Sequence, residues 1–262
     1  MYRHSALVLT GRSASGKDHL KNEILRHYKS LLPARSVIST TTRPIRESLG
    51  ERNHVDYYFI DTEEFERRIE DKAFIEFESF NSCYYGTEFA PVKKIIDDRA
   101  MPIFIVEPKG HVSICNYLHE QGIATKSVFI DADKDVIAKR LIERCQSAFK
   151  AGNDEEFAAG LSRLHRSYVS ESNWGLAVNY DDSINTGETL ISLSEAIVQI
   201  ALSEANMHNK TLNPSALKHI ELPKREFMRF ARNVLMVSSP DECVESINAY
   251  VSSARDFDLE LG

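Results

Sequence analysis

Residues 6–25, ALVLTGRSASGKDHLKNEIL, decide how the rest of the chain is read. The segment opens with a short apolar run that stops at Gly11, a length and composition suited to a buried parallel strand. From Lys17 the apolar positions Leu20, Ile24, Leu25 and Tyr28 recur at helical spacing, which predicts a helix reaching about Leu32. Between strand and helix, Gly11, Gly16 and Lys17 fit the spacing G-x-x-x-x-G-K. Such a turn lets backbone N–H groups curl around phosphate oxygens, and the helix amino terminus adds a partial positive charge. The expected phosphate cradle is Gly11, Arg12, Ser13, Ala14, Ser15 and Gly16, with Lys17 beside the β- and γ-phosphates of a nucleotide such as ATP. Asp18 stands where a hydroxyl usually follows the lysine. Its carboxylate suits Mg²⁺ or a water of its shell, since Mg²⁺ prefers oxygen ligands, and it also favours the positive helix end.

Strands and helices alternate beyond this point. Strand-like segments are RSVIST, VDYYFI, FIEFESF, MPIFIVE, TKSVFID and GLAVNY. Thr62 is the expected cap of the helix EEFERRIEDKAF; further helices are expected at about 109–121, from Val136 to Cys145, after a polar break SAFKAGNDEE, and over 188–206. This order predicts an α/β doubly wound parallel sheet of the phosphate-loop type. After Met207 two prolines interrupt a linker-like stretch. Two helices are then expected, one around Phe227, Phe230 and Val234, the other capped by Ser239 with Pro240 and Glu242 in capping-box order. Residues 1–207 are thus read as one domain and 208–262 as an extension.

The 262 residues include 32 Lys and Arg against 39 Asp and Glu, a net charge of −7 that argues against a dedicated nucleic-acid binder. Apolar runs are too short to span a bilayer, and no charged-then-apolar leader precedes Ala6, so a cytoplasmic protein without a membrane partner is expected. The four cysteines, at 83, 115, 145 and 243, lack the spacing of disulfide or zinc sites and read as reduced thiols.

Four motifs occur in order behind the phosphate loop: S-x-T-T-R-x-x-R from Ser39, D-Y-x-F from Asp56, F-I-E from Phe74 and Y-Y-G-T from Tyr84. With the phosphate loop they resemble the guanylate kinase family over residues 5–205. The resemblance implies an acceptor-binding lobe at about 38–90 and a helical lid at about 145–170. It implies that Arg43, Arg46, Tyr57 and Tyr85 grip the acceptor monophosphate, joined by Glu51 and Thr87. Ser39, Glu76 and Glu107 would read guanine, and Arg144 and Arg163, with Arg140 and Arg166 on the same helices, would close over the transferring group. The implied reaction is Mg²⁺-dependent transfer from ATP to GMP or dGMP. Two further readings stay open: a kinase of another phosphorylated small molecule such as a ribose bisphosphate, or a non-catalytic interaction module of the same fold. Isoleucine at 105 replaces the first acid of the family's D-x-D, which leads to the expectation that Asp18 supplies the missing charge.

Overall fold

The computed structural model describes residues 5–27, 33–47, 50–80, 82–186 and 209–214. The first strand, β1 (Ser5–Gly11), lies at the centre of a five-stranded parallel sheet. Its neighbours are β7 (Met101–Ile105) and β8 (Ala124–Asp131), with β2 (Ala34–Ser36) beyond β7 and β9 (Asp182–Asn185) beyond β8. Leu9 pairs with both Ile105 and Val128. A strand flanked on two sides and covered on two faces has no solvent side, which is why ALVL does not alternate.

Both faces are covered by helices. On one face Leu7 and Leu9 pack with Ile103, Ile130 and the residues Leu20 and Ile24 of α1 (Lys17–His27). On the other, Ala6 and Val8 meet Phe104, Val92 of α3 (Phe89–Asp97), and Ile114 and Leu118 of α4 (Pro108–Glu120). Burying each of these large aliphatic side chains is worth about 1.5–3 kcal/mol. The doubly wound arrangement is the one expected, and it leaves the loop after β1 open at the carboxyl ends of the strands.

A second sheet of four strands has the order β4 (Tyr58–Phe59), β3 (Thr40–Thr41), β6 (Cys83–Glu88), β5 (Phe74–Phe80). The helix α2 (Thr62–Glu70) lies against it through Phe65, which stacks on Phe74 at 4.4 Å and on Tyr84 at 5.1 Å. Beyond β8, α5 (Lys134–Lys150) and α6 (Asp154–Val169) pack on each other.

Several elements differ from expectation. RSVIST is not one strand: Ala34–Ser36 joins the main sheet, while Thr40–Thr41 joins the second, so the chain changes sheets within it. VDYYFI yields only Tyr58–Phe59. Asp61, not Thr62, caps α2; its Oδ1 accepts the Glu64 N–H at 2.7 Å, and Thr62 is the first helical residue. The helix Phe89–Asp97 was not foreseen. The break SAFKAGNDEE narrows to three residues, because Ala148 is buried and draws α5 on to Lys150, and Asn153 caps α6. GLAVNY forms a 3-10 turn at Trp174–Leu176, since the edge beside β8 is taken by Asp182–Asn185 instead. The helices expected at 188–206 and beyond residue 220 lie outside the described residues. No helix among the described residues is long and apolar enough to cross a membrane. Cys83, Cys115 and Cys145 are unpaired.

Candidate active site

The loop after β1 is held closed by its own sequence. A Cβ at Gly11 would lie 1.9 Å from the Ile130 carbonyl oxygen of β8, so no other residue fits there, and Gly16 has φ +98°, a left-handed conformation open to glycine. Ala14 shares that region at φ 58°. Ser15 N–H donates to the Arg12 carbonyl at 3.2 Å, and the Ser15 carbonyl accepts from Thr186 Oγ1 at 2.6 Å. Lys17 Nζ folds back over the loop, donating to the carbonyls of Gly11 and Arg12 at 2.7 Å each. Desolvation lowers the pKa of Lys17, against the pull of Glu171 and Asp18. Arg12 is buried, its guanidinium turned to Asp131 at 3.3 Å and to the Ser167 carbonyl at 3.1 Å, so its side chain braces the loop instead of facing the cleft. Asp18 is four-fifths exposed and pairs with Lys21 at 3.3 Å, yet its charge is felt at Tyr57 across the cleft.

Across the cleft, a register shift in β5 between Phe74 and Glu76 sets Glu76 opposite Thr87 of β6. Thr87 Oγ1 donates to Glu76 at 2.6 Å, and Gly110 at the start of α4 stands close to the other carboxylate oxygen. Burial raises the pKa of Glu76, and Glu78 and Glu107 push it further. Arg43 grips Glu51 with both ends of its fork, at 2.8 and 3.0 Å, and its guanidinium lies 5.5 Å from the ring centres of Tyr57 and Phe59. Burial disfavours the Glu51 charge, but Arg43 and the Arg46 N–H at 2.9 Å overcome this and hold its pKa low. Tyr57 meets Tyr85 edge to face at 6.2 Å, and burial raises its pKa, keeping the phenol a neutral donor. Ser39 is half-buried; its carbonyl accepts the Tyr58 N–H, and its hydroxyl makes no hydrogen bond among the described residues.

Helices α5 and α6 reach both groups of residues. Arg163 of α6 is 3.5 Å from Glu156, whose other oxygen is 3.6 Å from Arg46, in the segment that follows β3. Burial lowers the pKa of Arg163, and Arg144 and Arg46 add to this, which places these three guanidinium groups in one electrostatic neighbourhood. Arg144 itself is exposed on α5. Arg140 donates to the Ala14 carbonyl at 2.9 Å and to Thr186, beneath the phosphate loop. Arg166 bridges Glu107 at 3.0 Å and Glu171 at 2.8 Å.

The sequence-expected residues thus gather in two groups, Gly11–Asp18 and the set from Arg43 to Thr87, with Glu107 and the lid arginines between them. Three participants carry no sequence signal. Glu156, Glu171 and Thr186 belong to no motif, and each acts on residues more than a hundred positions away. Only Glu107 and the lid arginines hinted that this part of the chain faces the cleft.

The family model described as guanylate kinase matches residues 3–180. A guanylate kinase of Sulfurimonas denitrificans is 35% identical over 201 residues, 76% of this chain and 92% of that protein. One of Helicobacter hepaticus is 29% identical over 198 residues, 75% and 92% of the two chains. The solved guanylate kinase of Anaplasma phagocytophilum overlays with a TM-score of 0.48 at 18% identity, covering 76% of this chain and 85% of that one. A motif set met in order, a family model matched over residues 3–180 and a relative alike over three quarters of the chain lead to one conclusion: this chain belongs to the guanylate kinase family.

Proposed function

We propose that the protein transfers the γ-phosphoryl group of ATP to GMP or dGMP. The observation that carries this reading is Glu76, a half-buried carboxylate that lines a pocket, is fixed by Thr87 at 2.6 Å and has its pKa raised by desolvation. A carboxylate there accepts both the N1–H and the exocyclic amine of guanine, a pair adenine lacks. The acceptor phosphate falls to Arg43 and Arg46, with Tyr57 and Tyr85 as neutral donors. Its oxygen is already ionised, so the reaction needs no general base. It needs alignment, charge neutralisation and exclusion of water. Lys17 supplies charge at the donor phosphates, exchanging its two loop carbonyls for phosphate oxygens. Arg163 and Arg144 bring further charge as α5 and α6 close.

Mg²⁺ fits this site in the manner usual with nucleotides, through phosphate oxygens, waters and one or two carboxylates. Asp18 is the carboxylate we place in that shell, exposed beside Lys17 and in electrostatic reach of Tyr57. Among the described residues no group of three or more His, Cys, Asp and Glu could hold a metal unaided, which accords with a metal brought by the nucleotide. Bound there, Mg²⁺ would neutralise phosphate charge. We assign residues 1–207 to the catalytic domain, 208–262 to an extension, and the protein to the cytoplasm, the last on its unpaired cysteines.

A coupled assay of ADP release over GMP, dGMP, AMP, CMP and UMP tests the reading. Turnover with the guanine nucleotides well above the others is expected; equal rates with AMP and GMP would remove the guanine assignment.

A further inference from the structure

Glu171 follows the end of α6 and is fully buried. Its carboxylate accepts from the Ser13 N–H, from Ser13 Oγ at 2.8 Å, and from Arg166 Nε and Nη2 at 2.9 and 2.8 Å. A buried carboxylate is costly unless paired and hydrogen-bonded, and these four donors meet the requirement. Two details give it more than a packing role. The Ser13 N–H is a phosphate-loop amide, and here it is spent on a protein carboxylate, so Glu171 sets the loop's path between Arg12 and Ser15. The guanidinium that holds Glu171 also donates to Glu107 at the end of β7 and lies 4.5 Å over the ring of Phe80 in β5. Glu107, Arg166, Glu171 and Ser13 therefore form one unbroken chain from the acceptor side to the donor loop.

We propose that Glu171 is a positioning residue that couples the two substrate sites, fixing Ser13 on the donor loop and receiving the state of Glu107 through Arg166. The proposal rests on the ATP:GMP reading above. An acceptor base that donates to Glu107 competes with Arg166 for that carboxylate. Arg166 then turns its charge towards Glu171, which tightens the hold on the loop. Acceptor and donor accordingly bind with positive coupling, and by linkage each improves the other's affinity by the same factor.

The test is calorimetric titration of the full chain with GMP and with a non-hydrolysable ATP analogue plus Mg²⁺, each alone and with the other present. Wild type is expected to show mutual tightening of about fivefold or more. Glu171→Gln keeps the shape but loses the charge. It should bring the coupling factor near one, raise KM for ATP about tenfold, and leave GMP affinity alone within about twofold. Ser13→Ala removes the hydroxyl that donates to Glu171 but leaves the carboxylate its charge and its three other donors, and it should lower the coupling partway; it carries the test if Glu171→Gln does not fold. Unchanged coupling in a folded Glu171→Gln or in Ser13→Ala, or equal losses for both ligands, overturns the proposal. Wild type that turns over GMP without coupling overturns it too. Wild type that neither binds nor phosphorylates GMP overturns the functional reading instead, and this inference with it.

Discussion

Glu76 and Asp18 are both carboxylates of the cleft, yet their surroundings set them apart. Glu76 is half-buried, and desolvation first, then Glu78 and Glu107, raise its pKa; Thr87 opposes them without prevailing. It therefore takes up a proton at a higher pH than an exposed glutamate does. Protonated, it would lose the acceptor capacity on which the proposed guanine contact depends. We expect kcat/KM for GMP to fall on the acid side at a pH above the ordinary carboxylate range of about 4.3. Glu76→Gln should abolish that limb and weaken GMP by about 1–3 kcal/mol, as for loss of a buried charged partner. A profile that keeps the limb in the variant would assign it to another group. Asp18 stands four-fifths exposed and pairs only loosely with Lys21 at 3.3 Å. As an Mg²⁺ partner it predicts that Asp18→Asn raises the Mg²⁺ concentration for half-maximal rate while acceptor KM stays put. As a mere helix-end charge it is worth about 0.3–1 kcal/mol of stability and nothing in the Mg²⁺ curve. Superimposable rate–Mg²⁺ curves would decide for the second.

The lid pair shows how element packing rests on one missing side chain. Gly160 sits inside α6, where alanine is ordinarily better by about 1 kcal/mol. Here a Cβ would stand 2.6 Å from Cys145 Sγ of α5, and Cys145 is itself buried. Gly160→Ala should thus destabilise the protein by about 1–3 kcal/mol in spite of its helix propensity, and adding Cys145→Ala should restore much of the loss. Urea unfolding of the single and double variants measures both; a stabilised Gly160→Ala would show that α5 and α6 can separate freely. That contact also marks the limit of reading elements from sequence. β1, α1, β5, β7 and β8 were legible because their apolar periodicity is local. Gly11 and Lys17, or Arg43 and Arg46, were legible because their spacing is fixed by one turn. What could not be seen depends on partners far along the chain. GLAVNY has the composition of a strand, but whether it pairs depends on which segment takes the edge of β8. Glu156 and Glu171 look like surface acids of a polar lid, and only the fold brings them onto Arg46, Arg163 and Ser13.

At the scale of the whole molecule, the described piece of the C-terminal region is joined to the main sheet. Leu212 packs against the buried pair Ala177 and Val178, which Val112 and Tyr180 also cover, and the Asn213 N–H donates to the Ala177 carbonyl at 2.7 Å. Lys210 Nζ donates to Asp181 at 2.8 Å and to the Asn179 carbonyl at 3.1 Å, and both charged side chains are buried. Asp181 in turn accepts from the N–H and hydroxyl of Ser127 in β8. Lys210→Met would remove a buried ammonium that Asp181 and the Asn179 carbonyl accept from, a loss expected at about 3–5 kcal/mol. Nearby, His111 bonds Thr10 at 2.9 Å beneath Tyr180, and burial, with Lys210 adding to it, lowers its pKa from 6.5 to about 3. The sign follows from where protons bind. Between pH 6.5 and 3 the unfolded chain takes up the proton that native His111 refuses, so stability is full above 6.5 and declines as pH falls. At pH 5 that decline amounts to about 2 kcal/mol. The two effects separate in urea unfolding at pH 7 and pH 5. Lys210→Met should lie below wild type at both and keep nearly the same pH slope, because burial is the larger cause of the shift. His111→Gln should flatten the slope whatever its stability at pH 7. If Lys210→Met unfolds with wild-type stability, the buried pair contributes nothing to the fold and residues 209–214 merely rest on the domain.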